Sequence, residues 1–295
     1  MRTITTKAIA LLITLSITAF AQQKGTLTDS RDKKTYKTVI IGEQVWMAEN
    51  LNYNAKGSKC YAEGVSGVSA DSSAKNCAKY GRMYDWKTAM ALPANCNESE
   101  CNSQISKPKH TGICPSGWHI PGNADWNALM KFINPSCSSN NNTCTGAGAK
   151  LKATSGWNVN PYKISGNGTD NYGFSALPSG EGDDNSYFDN IGNNSSWWSS
   201  PENNNNFAYI LNVSHLDENA YKYDNGKFRL FSVRCLQDEG AAEQPKQAEQ
   251  PKKAEQPKQQ SANENCSLTF PKKSCVSMPK GTCQMAGGKV VDKCP

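Results

Sequence analysis

Apolar and polar positions in this chain follow more than one period. In "KTYKTVIIGEQVWMAENLNY", Tyr36, Thr38 and Ile40 alternate with polar neighbours, Gly42 offers a turn, and Val45 to Met47 lead back, which predicts a β-hairpin. "YGRMYDWKTAMAL" predicts a short strand at 82–84 followed by one or two helical turns. In "GNADWNALMKFI" the period changes. Trp126, Leu129, Met130 and Ile133 fall at i, i+3, i+4 and i+7, Gly122 or Asn123 serves as N-cap, and Asp125 sits favourably in the first turn, so a helix with one apolar stripe is expected. After Cys144 the chain becomes rich in Gly, Asn, Ser and aromatic residues. Short strands are expected at 173–177, 196–199, 207–213, 220–224 and 228–235, separated by turns such as "DNG" at 224–226. A few early helices followed by a run of short antiparallel strands is an α+β pattern.

One stretch resists the simple alternation. "NNSSWWSSPENNNNFAY" places Trp197 and Trp198 side by side, and successive strand residues point to opposite faces. In a sheet covered on one side only, one of the two rings needs a separate explanation.

The ends of the chain differ in composition from its middle. Arg2 and Lys7 precede an apolar run from Ala8 to Phe20 that closes on Ala19-Phe20-Ala21, the pattern of a secretory signal cleaved before Gln22. No cysteine follows that site, which disfavours a lipid anchor there, and no later segment is apolar enough to span a bilayer. An extracytoplasmic protein is therefore expected, secreted, periplasmic or on the outer surface of a bacterium. Residues 239–265 carry three hexads starting at Ala242, Ala248 and Ala254, each with a proline and opposite charges and none with a large apolar residue, which predicts an extended, disordered linker. Beyond it, residues 266–295 hold four cysteines, five lysines and Asp292 as the lone acid. So short a segment needs disulfides to hold a fold. Its cysteines allow three connectivities, of which Cys266 with Cys283 and Cys275 with Cys294 is favoured, making a small basic module suited to anionic envelope polymers or an acidic partner. Residues 22–238 carry 21 basic and 20 acidic side chains, so the formal charge of +6 does not belong to the main domain and nucleic-acid binding has no basis there.

"DKKTYKTVIIGEQVWMAENLNY", "KNCAKYGRMYDWKTAM", "GICPSGWHIPGNADWNAL", "LKATSGW", "GTDNYGFSALPSG", "WWSSPE" and "FSVRCLQD" resemble, in that order, the Fibrobacter succinogenes major paralogous domain. The resemblance covers about residues 28–238 and implies a C-type-lectin-like α+β domain, distantly similar to formylglycine-generating enzymes and to phage or retroelement variable receptors. In that superfold the terminal strands pair and long loops cover one face. It also implies that Cys114 and Cys235 form the long-range bridge of such domains, a closure contributing about 4–5 kcal/mol in the chain-entropy model. Cys60 with Cys77, Cys96 with Cys101 and Cys137 with Cys144 then become the natural local pairs, although spacing alone leaves all pairings of eight cysteines open.

Catalysis is not expected: no Ser/His/Asp set is visible, the cysteines pair off, and His119 in "GWHIP" suits packing or hydrogen bonding better than base chemistry. An enzyme descended from the formylglycine-generating branch is the alternative and would require a free thiol or a metal. Asp170, Glu181, Asp183 and Asp184 lie in Gly/Asn-rich loops that suit calcium, but no complete EF-hand spacing occurs and Asx turns account for the same residues. No other cofactor is implied. Trp198 begins the element resembling the family scaffold and is assigned to the core. Trp197 then faces either a sugar platform, with Trp157, Tyr172, Tyr187, Glu202 and Asn203 as companions, or a covering loop that completes a second small core. The expected function is a non-enzymatic secreted or cell-surface module that binds polysaccharide or an envelope partner through its loop face, with a structural envelope protein lacking a soluble ligand as the second reading.

Overall fold

The computed structural model describes residues 23–240 apart from Lys107 and Ser139, together with three strands at 264–268, 274–278 and 289–291. The segment expected to be a secretory signal, residues 241–263 of the expected linker, and Cys283 and Cys294 of the tail lie outside the described residues. The chain divides into two compact units, Met1–Ala248 and Glu249–Pro295.

The first unit begins with β1 (Lys24–Thr28), β2 (Thr35–Ile41) and β3 (Gln44–Met47). It continues through α1 (Ala70–Tyr80), β4 (Met83–Tyr84), α2 (Trp86–Ala89), β5 (Trp118–His119), α3 (Asn123–Ile133), β6 (Thr143–Cys144) and α4 (Ala147–Leu151). Seven strands follow: β7 (Ser179–Asp183), β8 (Phe188–Ile191), β9 (Asn194–Glu202), β10 (Phe207–Ser214), β11 (Ala220–Gly226), β12 (Arg229–Ser232) and β13 (Leu236–Gln237). One sheet has the order β1-β2-β3-β13-β5; the other runs β4-β12-β7-β9-β10-β11-β6, with β8 paired to β7. This is an α+β domain dominated by sheet. Its last strand enters the sheet of the N-terminal hairpin by pairing with β3 and β5, not with β1.

The hairpin forms where the alternation placed it, with Ile41 opposite Gln44 and Gly42 turning at φ 63°. Its burial differs from the expected phase. Tyr36 and Thr38 are buried, Ile40 is not, and Val39 and Ile41 are. The strand is covered on both faces, so both of its side-chain sets carry apolar residues. The helix at 123–133 buries Trp126, Leu129, Met130 and Ile133, and the Asp125 carboxylate accepts from the Gly122 N–H at 2.8 Å. α1 was not apparent in the periodicity because only Cys77 and Tyr80 among its apolar side chains are buried; Ser69 caps it by accepting from the Ser72 N–H at 3.1 Å. The strand expected at 173–177 does not form. Ser175 adopts φ 53°, which no strand accommodates, and its N–H and hydroxyl both donate to Asp170 at 2.7 Å.

Two cores lie on opposite faces of β9 and β10. Tyr84, Trp86, Trp198, Ile210 and Phe231 belong to one, with Trp198 and Phe231 ring centroids 4.9 Å apart. Trp46, Trp126, Phe174, Trp197 and Leu211 belong to the other, where Trp46 stacks on Trp126 at 4.7 Å and Phe174 meets Trp197 edge-on at 5.6 Å. Four disulfides tie this frame: Cys60–Cys77, Cys96–Cys101, Cys114–Cys235 and Cys137–Cys144, the same four pairs expected above. Among the described residues no cysteine is free, and no helix is long and apolar enough to cross a membrane.

In the second unit three strands, β14 (Glu264–Leu268), β15 (Ser274–Met278) and β16 (Lys289–Val291), pair in the order β15-β14-β16, both contacts antiparallel. The proposed tail bridges Cys266–Cys283 and Cys275–Cys294 lie outside the described residues.

Candidate functional site

The expected loop-face platform does not assemble around Trp197. Both tryptophans have no exposure, because the sheet carrying them is packed on both sides. Trp197 donates from Nε1 to the Asn50 Oδ1 at 2.8 Å, and Trp198 from Nε1 to the Tyr84 carbonyl at 2.7 Å, so each polar edge is satisfied inside the protein. Trp157 is buried too, donating to the Ala176 carbonyl at 2.9 Å. Glu202 is buried and ion-paired to Lys227, while its second oxygen accepts from the Cys101 N–H at 2.8 Å; it holds the short disulfide loop and offers nothing to a ligand. Tyr172 is half-buried against Phe132, and Tyr187 is exposed with its hydroxyl 3.4 Å from Asp189.

Three of the four candidate calcium carboxylates are spent on local structure. Asp170 holds Ser175, Glu181 accepts from Arg229 at 2.7 Å, and Asp183 caps a turn by accepting from the N–H groups of Asn185 at 2.9 Å and Tyr187 at 3.1 Å. Asp184 is exposed in the same loop. Among the described residues no three His, Cys, Asp or Glu side chains gather into a set able to hold a metal ion. His119 is buried with Nδ1 2.7 Å from Asp238 and Nε2 3.5 Å from Asp125, between two carboxylates at the end of the domain.

Asn203 alone of the expected ligand set lies beside a coherent exposed surface. Along β10 the side chains of Phe207, Tyr209 and Leu211 share one face. Leu211 is buried beneath α3, but the face emerges from cover towards the hairpin tip: Tyr209 is half-buried and Phe207 is 43% exposed. Register puts Gly226 opposite Phe207 and Asp224 opposite Tyr209. Cross-strand partners share a face. At Gly226 a Cβ would lie 2.5 Å from the Phe228 ring, so that ring, 49% exposed, occupies the space the glycine leaves beside Phe207. Asn203 then links the polar partners, donating from Nδ2 to the Asp224 Oδ2 at 2.9 Å and accepting from the Tyr209 hydroxyl at 2.9 Å. The surface therefore combines three aromatic rings with an oriented amide and carboxylate.

The local sequence explains its rigidity. Asn204 Oδ1 accepts from the N–H groups of Asn206 at 2.9 Å and Phe207 at 3.0 Å, closing the turn that the four asparagines form. Trp198 is opposite Ile210, and Glu202 is opposite Ala208, so β9 carries extra residues around Pro201 in a bulge that re-aims Asn203. The buried Lys227 ammonium binds the Asn205 carbonyl at 2.9 Å and pins the same turn from below. On the other side, Lys222, opposite Leu211, reaches Asn127 of α3 and marks the edge where helix cover ends.

Residues 39–237 match the model of the Fibrobacter succinogenes major domain. The chain belongs to that family. No curated protein matches the chain, and no solved structure does. The Fibrobacter succinogenes major domain thus spans the protein from within β2 to β13 and includes the whole β9–β11 surface, all four bridges and both cores apart from Tyr36.

Proposed function

We propose that this Fibrobacter succinogenes major domain is a non-enzymatic, extracytoplasmic polysaccharide-binding module on a C-type-lectin-like scaffold. The observation that carries the reading is the β10–β11 surface, where Phe207, Phe228 and Tyr209 present aromatic area beside the hydrogen-bonded Asn203–Asp224 pair. Sugars stack apolar C–H faces on aromatic rings and satisfy their hydroxyls with amides and carboxylates, and a pre-ordered platform lowers the ordering cost of binding. The lectin-like scaffold is supported by the Cys114–Cys235 bridge and by the final strand lying in the sheet of the N-terminal hairpin. The pairing of all eight cysteines between positions 60 and 235 favours a binding role over thiol chemistry of the formylglycine-generating kind. Disulfides persist in oxidising compartments, which supports location outside the cytoplasm.

The test is retention of the full chain on cellulose, xylan and peptidoglycan, with and without the double substitution Phe207→Ala/Phe228→Ala. Retention on at least one polymer, weakened about tenfold or more in the double variant at unchanged melting temperature, is the expected result. Absence of retention on all three, or retention indifferent to both phenylalanines, would overturn the reading.

A further inference from the structure

A second recess shares no residue with the aromatic platform. It is a cleft of about 310 Å³ bounded by residues 34–36 at the start of β2, by 49–52 after β3 and by 77–81 at the end of α1, with Arg234 at its floor. That volume falls at the lower end of small-molecule sites, about 300–1,000 Å³. Its walls are held close by Gly81, where any Cβ would lie 2.8 Å from the Asn50 Cβ and 2.9 Å from the Leu51 carbonyl.

The groups lining this cleft are unbalanced towards positive charge. Arg234 is 1% exposed, donates to the Asn50 Oδ1 from Nε at 3.1 Å and Nη2 at 2.8 Å, and donates to the Phe174 carbonyl from Nη1. Its carbon centre lies 4.1 Å from the Phe174 ring centroid and 5.3 Å from that of Trp197. No carboxylate among the described residues forms an ion pair with it; Asp170 and Glu49 act only at longer range. Burial pushes the guanidinium down to about 9, which still leaves it a cation at neutral pH. Lys34 and Lys79 stand at the rim, Lys79 exposed and 4.7 Å from the centroid of the Tyr80 ring. Lys34 is tied to the Asn52 carbonyl and lies 3.3 Å from Asp32. Tyr36 accepts from the Asn52 N–H at 3.1 Å, which leaves its own proton for donation. The one acidic side chain in the lining, Glu49, is engaged by the Lys37 ammonium at 3.1 Å and by the Lys37 N–H at 2.8 Å. Donors and cations therefore outnumber free acceptors.

We propose that this cleft is a binding site for a carboxylate-bearing sugar, a uronic-acid unit, whose carboxylate sits at the Lys79 and Lys34 rim above Arg234. The hydroxyls of the sugar meet the Tyr36 hydroxyl and the half-buried Asn52. A charged group so close to a buried cation gains more than one in open solvent, because the low-dielectric walls strengthen the attraction. This site does not depend on the polysaccharide reading of the platform and can hold if that reading fails.

The test is titration of the full chain with glucuronate, galacturonate, glucose and acetate, followed by amide NMR shifts and calorimetry. Saturable shifts at Asn52, Lys79 and Gly81 are expected with at least one uronate and not with glucose or acetate. Lys79→Glu reverses a rim charge, and it should weaken uronate binding about tenfold or more with the amide spectrum of the rest of the fold retained. Raising the salt to about 0.5 M should weaken binding severalfold. Phe207→Ala/Phe228→Ala should leave the titration unchanged, which separates this site from the platform. Binding of polygalacturonate without binding of free galacturonate would place the unit within a polymer and still support the site. Equal response to uronate and glucose, equal response to uronate and acetate, or indifference to Lys79→Glu would each overturn it.

Discussion

Lys227 and Arg234 are both removed from solvent, and the protein accommodates them in opposite ways. The Lys227 ammonium has a carboxylate, Glu202, and the carbonyls of Cys96 at 3.1 Å, Ser99 at 3.0 Å and Asn205 at 2.9 Å, with the Trp86 ring centroid 4.5 Å away. Arg234 has no carboxylate partner among the described residues. It has one side-chain amide oxygen, one carbonyl and two aromatic faces. The difference follows from the two head groups. An ammonium is a compact point charge that gathers oxygens around it, whereas a guanidinium is a planar fork that also stacks. It also follows from position. Lys227 knots two loop segments, the Cys96–Cys101 loop and the asparagine turn, through three carbonyls, and so holds the turn beneath the aromatic platform. Arg234 lies between Phe174 and Trp197 of one core and the Asn50 corner, and leaves a net positive cleft.

The comparison can be broken most sharply at Lys227. Lys227→Met would strand the Glu202 carboxylate and three carbonyls, and should cost about 3–5 kcal/mol in denaturant unfolding followed by tryptophan fluorescence. A cost below about 1 kcal/mol would show that water reaches those groups and that no cage exists. Asn50→Leu comes next. It removes the acceptor shared by two Arg234 donors and by the Trp197 Nε1, leaving the guanidinium with one carbonyl, and about 2–3 kcal/mol is expected in the same assay.

Arg234→Met should be milder than either, about 1–2 kcal/mol, since the Asn50 oxygen keeps Trp197 and only the Phe174 carbonyl loses its partner. If Arg234→Met proved as costly as Lys227→Met, the two cations would be equivalent and the contrast drawn here would fail. The smallest effect belongs to Tyr36, which lines the cleft beside Arg234. Burial pushes its hydroxyl from 10.0 up to about 12. The folded state then holds a proton that the unfolded chain releases near pH 10, so the contribution is whole below pH 10 and is lost as pH rises towards 12. Tyr36→Phe should flatten that alkaline decline by about 1 kcal/mol, read from urea midpoints across the same pH range.

Much of the scaffold was legible in the sequence. The α3 helix followed from four apolar residues at helical spacing, and the first hairpin from the turn at Gly42 between an alternating run and the return at Val45 to Met47, because both patterns are local. α1 was illegible for the same reason: its side chains are mostly polar, and a disulfide, a cap and packing of its last turn stabilise it in place of an apolar stripe. Asp170 read as a candidate metal ligand, but its two oxygens were already committed to Ser175, a bond that also bars the expected strand. Asn203 was the part of the candidate site that could be named early. Phe207, Tyr209, Asp224 and Phe228 could not be grouped with it, because a side chain's neighbours across a sheet depend on register, and the register here contains a bulge.

The amino-acid order by itself determined the α+β class, the helix at 123–133 and the short strands after residue 194, since each rests on periodicity or composition over a few neighbouring residues. Only the tertiary structure decided the question posed by Trp197 and Trp198. Adjacent strand residues must face apart, and whether the second face meets solvent depends on what other segments bring to it. Here Trp46, Trp126 and Phe174 arrive from distant parts of the chain to cover Trp197. That burial moved the exposed aromatic surface to the other end of the same sheet face, where α3 stops.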